Sequence, residues 1–179
     1  MIDLFLAEGF EEVEALAPVD ILRRAGVKIQ TVGVGGPRVR GSHGVEVTAD
    51  VEAKDISLDH LDMVILPGGM PGTKNLEKSP VVRAAILHCA QGGRRIAAIC
   101  AAPSILGHLG LLKGQTATCF PGFEPELGAK ALSKDPVCVS GRFVTARGAG
   151  VAVDFALKIV EILCGAEKSR QIRQNIQCI

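Results

Sequence analysis

Short apolar runs alternate along the chain with longer segments in which apolar residues recur at helical spacing. The apolar runs have the length of β-strands, and they cover residues 2–7, 27–34, 45–47, 63–66, 96–100, 115–119, 137–139 and 143–145. Helix signals cover residues 8–26, 80–91, 103–107, a short stretch ending at 130, 151–164 and 166–174. Strands that alternate with helices predict an α/β fold with a mostly parallel central sheet and helices on both of its faces.

The first predicted helix has a recognisable start and end. Acidic residues crowd its first turn, basic residues its last turn, and Gly26 follows as a stop signal. The spacing of Val13, Leu16 and Val19 predicts that these three side chains share one face of the helix.

Three glutamates in this first turn invite different predictions. Glu11 and Glu12 are expected to be solvated, as acids at a helix start usually are. Pro18 cannot donate to the carbonyl of Glu14, so the helix is expected to bend or loosen there. Because Glu14 also lies beside an apolar residue, its carboxyl could turn inward toward the ends of the strands.

Composition excludes several classes of function. The 179 residues suit a single domain over 1–179, and 47% apolar with 3% aromatic residues predicts an aliphatic core. A net charge of +1 gives no electrostatic case for binding nucleic acid or an anionic membrane, and no apolar run is long enough to span a bilayer. The six cysteines form no zinc-type or redox pair and no signal-peptide pattern is present, which favours a reducing cytoplasm.

Residues 96–106 hold the main candidate for chemistry. An apolar run stops at Cys100, alanines flank it, and Pro103 opens a helix-compatible stretch. This pattern predicts a tight strand-to-helix corner, where free N–H groups and the helix dipole favour an anion. A thiol with a pKa of about 8.5 is only roughly 3% ionised at pH 7, and lowering that pKa by roughly 3 units would ionise nearly all of it. The alternative is a buried core cysteine, which is common in apolar runs.

Two loops rich in glycine follow other predicted strands. Gly68 and Gly69 follow the strand at 63–66, and Arg147 and Gly148 follow the strand at 143–145. Glycine lets backbone N–H groups approach a ligand closely, but the spacing matches no phosphate-binding motif, so a plain turn stays open. Since parallel sheets collect functional groups at the carboxyl ends of their strands, both loops and Cys100 are expected at one edge.

Four motifs occur in a fixed order, at residues 7–14, 66–69, 98–103 and 146–150. They resemble those of the ThiJ/PfpI superfamily, in particular the branch of the Parkinson-disease deglycase (DJ-one) and the bacterial protein YajL. The resemblance runs nearly end to end and implies a flavodoxin-like three-layer α/β/α sandwich that forms a homodimer. It also implies that Cys100 is a nucleophile at a strained elbow, that Glu14 is a protonated carboxyl bonded to its thiolate, and that the N–H groups of Gly69 and Ala101 form an oxyanion pocket beside Gly68.

Some positions around this implied site depart from parts of the family. Phe120 stands where many eukaryotic members have a histidine, so a histidine-assisted proton relay is not expected. His43 replaces a family arginine, and together with Phe120 and Arg147 it is expected at the rim of the site. Ala101 stands where the protease and heat-shock-chaperone branches have a histidine, which argues against peptide hydrolysis.

Two functions stay open at this point. In the first, a cofactor-independent glyoxalase or deglycase uses Cys100 to attack methylglyoxal, glyoxal or their early protein adducts, while Glu14 moves the proton. In the second, the same cysteine serves an oxidative-stress sensor or a redox-regulated chaperone. Neither function calls for a cofactor or a metal. The expected partners are a small α-oxoaldehyde or glycated substrate and a second copy of the chain.

Overall fold

The computed structural model describes residues 1–178. Its strands are β1 (Ile2–Ala7), β2 (Ile29–Val34), β3 (Arg38–Arg40), β4 (Glu46–Thr48), β5 (Val51–Glu52), β6 (Met63–Leu66), β7 (Arg95–Ile99), β8 (Thr116–Ala117), β9 (Ala131–Leu132), β10 (Val137–Ser140) and β11 (Phe143–Ala146). Its α-helices are α1 (Glu12–Arg24), α2 (Gly72–Lys78), α3 (Pro80–Gln91), α4 (Pro103–His108), α5 (Ala152–Cys164) and α6 (Ala166–Asn175). Short 3₁₀ turns cover Ala53–Asp55, Glu124–Glu126 and Ala149–Val151.

The central sheet has the strand order β10-β11-β7-β6-β1-β2-β5. Its pairs are parallel except for β10 and β11, which run antiparallel. This topology confirms the predicted α/β sandwich. Because β6, β7 and β11 are parallel neighbours, the loops that follow them emerge at the same edge of the sheet. The hairpin of β3 and β4 and the pair of β8 and β9 lie outside this sheet.

The core lies in two layers, one on each face of the sheet. Alternate side chains of β1 point to opposite faces, so Leu4 joins one cluster and Phe5 joins the other. The first cluster includes Leu22 of α1 and Phe155 of α5, and the second includes Ile86 of α3. Leucine, isoleucine and valine dominate both clusters, as the composition predicts. Within residues 1–178 no helix combines the length and the hydropathy needed to cross a membrane.

Helix α1 turns a different face inward from the one its spacing predicts. Val13 and Leu16 are 51% and 37% exposed whereas Val19 is buried, so the spacing of these three residues does not mark a buried face. The buried stripe runs instead through Ala15, Val19 and Leu22. These residues also recur at helical spacing, and the small Ala15 lets the helix approach its neighbours closely.

Two helix predictions also need correction. Helix α2 has no counterpart in the sequence analysis, because it is seven residues long and has Leu76 as its only fully buried apolar side chain. The helix expected to end at Lys130 is only the turn Glu124–Glu126. Pro125 removes a backbone donor and Gly128 follows soon after, so a longer helix cannot propagate there.

Candidate active site

Cys100 lies at a tight corner between β7 and the segment that leads into α4. Its φ angle is +66°, a region that non-glycine residues rarely occupy, and such backbone strain costs on the order of 1–3 kcal/mol. Two backbone hydrogen bonds hold it there. The Cys100 N–H donates to the Ala146 carbonyl at 2.9 Å, and the Phe120 N–H donates to the Cys100 carbonyl at 2.8 Å. The cysteine is half-buried, so its thiol stays within reach of a small ligand.

Glu14 reaches this corner from α1. Its side chain is fully buried, and the Gly68 N–H donates to its Oε2 at 2.9 Å. The Gly68 carbonyl in turn accepts from the Glu11 N–H at 2.9 Å, so both backbone groups of this glycine anchor the start of α1. The other carboxyl oxygen, Oε1, has no hydrogen-bond partner among residues 1–178. An acid with one unused oxygen therefore lies in the site.

Glycine is required at the end of β6 because the backbone there lies very close to neighbouring side-chain and backbone atoms. A Cβ atom on Gly68 would lie 2.6 Å from the Cys100 Cβ and 2.7 Å from Oε2 of Glu14. Gly69 has a φ of +89°, and a Cβ there would collide with the backbone nitrogen of Glu11. Only glycine fits at either position, so the loop after β6 can bring its backbone against both reactive side chains.

The electrostatics of the two reactive groups are linked. Burial raises the pKa of Glu14 from 4.5 to about 7, although the Cys100 thiol and the Gly68 N–H act to lower it. Burial, followed by the charge of Glu14, raises the pKa of Cys100 from 9.0 to about 12. The N–H groups of Ala101 and Gly69 act in the opposite direction, because they favour the sulfur anion.

These values correct the expectation that the corner alone lowers the pKa of Cys100. The amide groups of Ala101 and Gly69 lower the pKa of Cys100, but burial and the neighbouring carboxylate outweigh their effect while Glu14 is ionised. The negative charge that opposes the thiolate disappears when Glu14 takes up a proton. Cys100 and Glu14 are therefore best described as a coupled pair that carries one negative charge near neutral pH.

The three residues expected at the rim lie in different places. The Phe120 ring is 47% exposed. A Cβ atom placed on Gly148 would lie 3.2 Å from Cδ2 of Phe120 and 3.8 Å from Oε1 of Glu14, so Gly148 lies between the ring and the acid. Phe120 thus borders the site. Arg147 is exposed at the end of β11. His43 has Ser42, Glu11 and Glu12 as its side-chain partners, so it faces the start of α1 and not the thiol.

Glu12 contradicts the prediction that it is solvated. It is only 7% exposed, and its Oε1 accepts the His43 N–H at 2.8 Å and the Val45 N–H at 3.3 Å. Burial raises its pKa, but hydrogen bonds from its own N–H, from His43 and from Val45 lower the pKa by more. Glu11, Glu12 and His43 also bring one potential metal-ligand atom each within 4.8 Å of one another. Because Glu12 already accepts two backbone donors, this cluster joins α1 to the hairpin of β3 and β4.

The chain is similar to known proteins along most of its length. A sequence profile described as the DJ-1/PfpI family matches residues 2–162. The chain belongs to the DJ-1/PfpI family. Among relatives of this family, Protein dj-1beta of Drosophila melanogaster is 36% identical over 176 residues, which covers 97% of this chain and 94% of that protein.

Other similar proteins include a relative named as a glyoxalase and two with solved structures. The Glutathione-independent glyoxalase DJR-1.2 of Caenorhabditis elegans is 34% identical over 167 residues, which covers 92% of this chain and 89% of that protein. The crystal structure of Drosophila melanogaster DJ-1beta superimposes with a TM-score of 0.95 at 35% identity, covering 99% of this chain and 97% of that one. Toxoplasma gondii DJ-1 in its oxidized form gives a TM-score of 0.95 at 34% identity over 98% and 97% of the two chains.

Proposed function

We propose that the protein is a cofactor-independent glyoxalase or deglycase that acts on methylglyoxal, glyoxal or their early adducts through Cys100. The observation that carries this proposal is the buried Glu14 carboxyl, which interacts with the half-exposed Cys100 thiol at a strained backbone corner. The N–H groups of Gly69 and Ala101 point at the same sulfur and supply donors for an oxyanion. A nucleophile, an acid–base group and an oxyanion pocket meet in one place.

The chemistry balances without an external electron carrier. The thiol proton moves to Glu14 as the sulfur attacks the aldehyde carbon, and the oxyanion of the hemithioacetal accepts from the two N–H groups. Glu14 returns this proton to the hemithioacetal oxygen and, once ionised again, takes the proton from the former aldehyde carbon. It delivers that proton to the adjacent carbon through an enediol while the hydroxyl proton passes to the former ketone oxygen, which leaves a thioester on Cys100. Water hydrolyses the thioester, and lactate leaves with the thiol restored. The aldehyde carbon is oxidised as the ketone carbon is reduced.

The pair of acids predicts the pH dependence of this reaction. Attack of the Cys100 sulfur on the aldehyde needs one ionised group in the pair: a Glu14 carboxylate that accepts the thiol proton, or a Cys100 thiolate. Because the pKa of Glu14 is raised to about 7, kcat/KM for methylglyoxal should rise with pH through about 7. The pair loses its second proton, that of the Cys100 thiol, only near a pH of about 12. This second ionisation should therefore not affect kcat/KM over the pH range of the assay.

Activity assays on matched variants test the proposal. Lactate formation from methylglyoxal is measured for the wild type, Cys100→Ala and Glu14→Gln, with Cys164→Ala as a control because that cysteine is exposed at the end of α5. We expect the first two variants to lose turnover and the control to keep it. Equal rates in all four proteins would overturn the proposal. The glyoxalase named among the relatives, at 34% identity, supports this choice of substrate.

A second candidate function, peroxide sensing, uses the same cysteine. Hydrogen peroxide would transfer one oxygen to the Cys100 sulfur and leave as water while Glu14 takes up the thiol proton, and a second peroxide would convert the sulfenate to a sulfinate. Cys100 is half-exposed, whereas Cys119 is buried and packs in a different core cluster, so this candidate function uses Cys100 alone. The solved structure of the oxidized Toxoplasma gondii relative supports this candidate.

Peptide mapping after mild peroxide treatment tests whether Cys100 senses peroxide in addition to any catalytic role. A sensor should gain oxygen at Cys100 before the exposed Cys164 does. If Cys164 is oxidised first, the peroxide-sensing function is rejected, while the glyoxalase proposal is unaffected.

We also propose that two copies of the chain associate through the outer face of α1. Val13, Leu16 and Val45 are 51%, 37% and 50% exposed, and the Val45 N–H bonds Glu12, which places the three apolar side chains in one region. Leu16→Lys should shift the mass measured by light scattering from dimer to monomer. A monomeric wild type would contradict the proposal. The cytoplasmic location stays a prediction.

A further inference from the structure

A cavity of about 330 Å³ lies beside the Cys100 corner and has no part in the mechanism above. Its floor contains the buried residues Thr118 and Cys119. Arg147, Lys134 and Ser133 line it as well. The cavity is therefore walled by three segments that are far apart in the sequence.

The cavity is joined to the site through the backbone that holds Cys100. Phe120, which donates its N–H to the Cys100 carbonyl, comes directly between the lining residues Cys119 and Pro121. Ala146, which accepts the Cys100 N–H, directly precedes Arg147. The wall of the cavity therefore contains direct sequence neighbours of both residues that hydrogen-bond the backbone of Cys100.

The charges in the cavity favour an anion. Arg147 and Lys134 are exposed, and neither forms an ion pair with an acid in the described part of the chain. The acid in the lining, Glu124, already accepts the Gly122 N–H at 2.6 Å. The lining thus has two cations, Arg147 and Lys134, and one acid, Glu124, which already accepts a backbone hydrogen bond. The planar guanidinium of Arg147 can bind a carboxylate through two parallel hydrogen bonds.

We propose that this cavity is a specificity subsite, in which Arg147 and Lys134 bind a carboxylate carried by the substrate at a distance from its α-oxoaldehyde group. The inference rests on the proposed function, because the reacting aldehyde must be at Cys100 for the cavity to receive the rest of the molecule. The preferred substrates are α-oxoaldehydes, or their adducts, that bear a carboxylate several bonds away. Phe120 borders the Cys100 site and lies between the lining residues Cys119 and Pro121 in the sequence, so it adjoins both compartments.

A matched pair of substrates tests this subsite. Phenylglyoxal and 4-carboxyphenylglyoxal share the reactive group and differ by a carboxylate on the far side of the ring. Initial rates are measured for the wild type, Arg147→Gln and Lys134→Gln, with Arg38→Gln and Lys130→Gln as exposed controls outside the cavity. Intact mass after each assay checks that no arginine has reacted with the substrate.

The readout is the ratio of kcat/KM for the charged substrate to that for the neutral one. We expect a ratio well above one in the wild type and in both controls, and about a tenfold smaller ratio in Arg147→Gln, because one charge-assisted hydrogen bond is lost. Lys134→Gln should lower the ratio by a smaller factor. A ratio that is the same in all five proteins would overturn the subsite, even if every protein turns over phenylglyoxal.

A binding experiment distinguishes failure of the subsite from failure of the proposed function. Titration calorimetry compares 4-carboxymandelate with mandelate in the Cys100→Ala variant, with and without Arg147→Gln. If no protein turns over either aldehyde, the proposed function fails. Selective binding of 4-carboxymandelate that requires Arg147 would then still support an anion site in the cavity, and equal binding of both acids would reject it.

Discussion

Glu12 and Glu14 lie two residues apart on α1, both are buried, and their pKa values shift in opposite directions. The Glu12 carboxylate accepts two backbone N–H groups from the segment that precedes β4, and these bonds hold it ionised. Glu14 accepts one backbone N–H and keeps a buried oxygen without a partner, so burial prevails and raises its pKa to about 7. The balance between burial and hydrogen bonding at each carboxylate decides which acid is structural and which can exchange a proton.

The largest effect that separates the two acids is on catalysis. Glu14→Gln should lower kcat/KM for methylglyoxal by about 10²- to 10⁴-fold, because the amide cannot take up the thiol proton. Glu12→Gln should change it by no more than a few-fold, since Glu12 lies away from the thiol. Lactate formation measures both. Comparable losses in the two variants would remove the distinction between a structural acid and a catalytic one.

The next effect is on stability. The pKa of Glu14 is raised from 4.5 in the unfolded chain to about 7 in the folded protein, so the group's contribution to stability is complete below about pH 4.5 and is lost as the pH rises through about 7. Glutamine does not titrate. Relative to the wild type, Glu14→Gln should therefore gain on the order of 3 kcal/mol between pH 4.5 and pH 8.5. Urea unfolding at both pH values measures the gain, and a difference that does not depend on pH would show that the carboxyl is not desolvated.

A smaller effect of opposite sign is expected for the other acid. Glu12→Gln should destabilise the protein at pH 7 by about 1–2 kcal/mol, because two backbone N–H groups lose a charged acceptor. The lowered pKa of Glu12 means that this stabilising contribution is present above about pH 4.5 and is lost as the pH falls through the folded value. Urea unfolding of the variant at pH 7 is the measurement. An unchanged midpoint and slope would show that Glu12 does not hold the hairpin.

The smallest effect concerns His43. A hydrogen bond with Glu12 and the charges of Glu11 and Glu12 raise the pKa of His43 above 6.5. In Glu12→Gln the pKa of His43 should move back toward 6.5, and an NMR titration of the imidazole protons measures the change. Identical titration curves in the two proteins would mean that the ion pair does not persist in solution.

Local signals were enough to predict the corner at Cys100. Pro103 marks the start of a helix, and an apolar run that stops at Cys100 marks the end of a strand. Both boundaries can therefore be predicted from residues that are close in sequence. The positions of Gly68 and Gly69 also follow from the end of a recognisable strand. The inward turn of Glu14 was expected from the freed carbonyl near Pro18, but its partner is the Gly68 N–H, 54 residues away.

Long-range contacts explain what the sequence could not predict. Glu12 is buried because the loop around His43, some 31 residues later, folds over it. The exposure of Val13 and Leu16 likewise depends on which neighbours cover α1, and helical spacing alone does not encode this. The cavity between Cys119, Lys134 and Arg147 exists only once three distant segments meet. The raised pKa of Cys100 depends on burial and on Glu14, neither of which follows from the motif around the cysteine.

The most direct test of the shared charge is the rate of Cys100 alkylation by iodoacetamide as a function of pH, followed by peptide mass in the wild type and in Glu14→Gln. The account predicts that removing the carboxylate shifts the labelling profile of Cys100 to lower pH by at least about one unit, because the charge of Glu14 raises the pKa of the thiol. Cys164 in the same samples gives the reference profile of an exposed thiol. Superimposable Cys100 profiles in the two proteins would contradict the claim that Cys100 and Glu14 titrate as one pair.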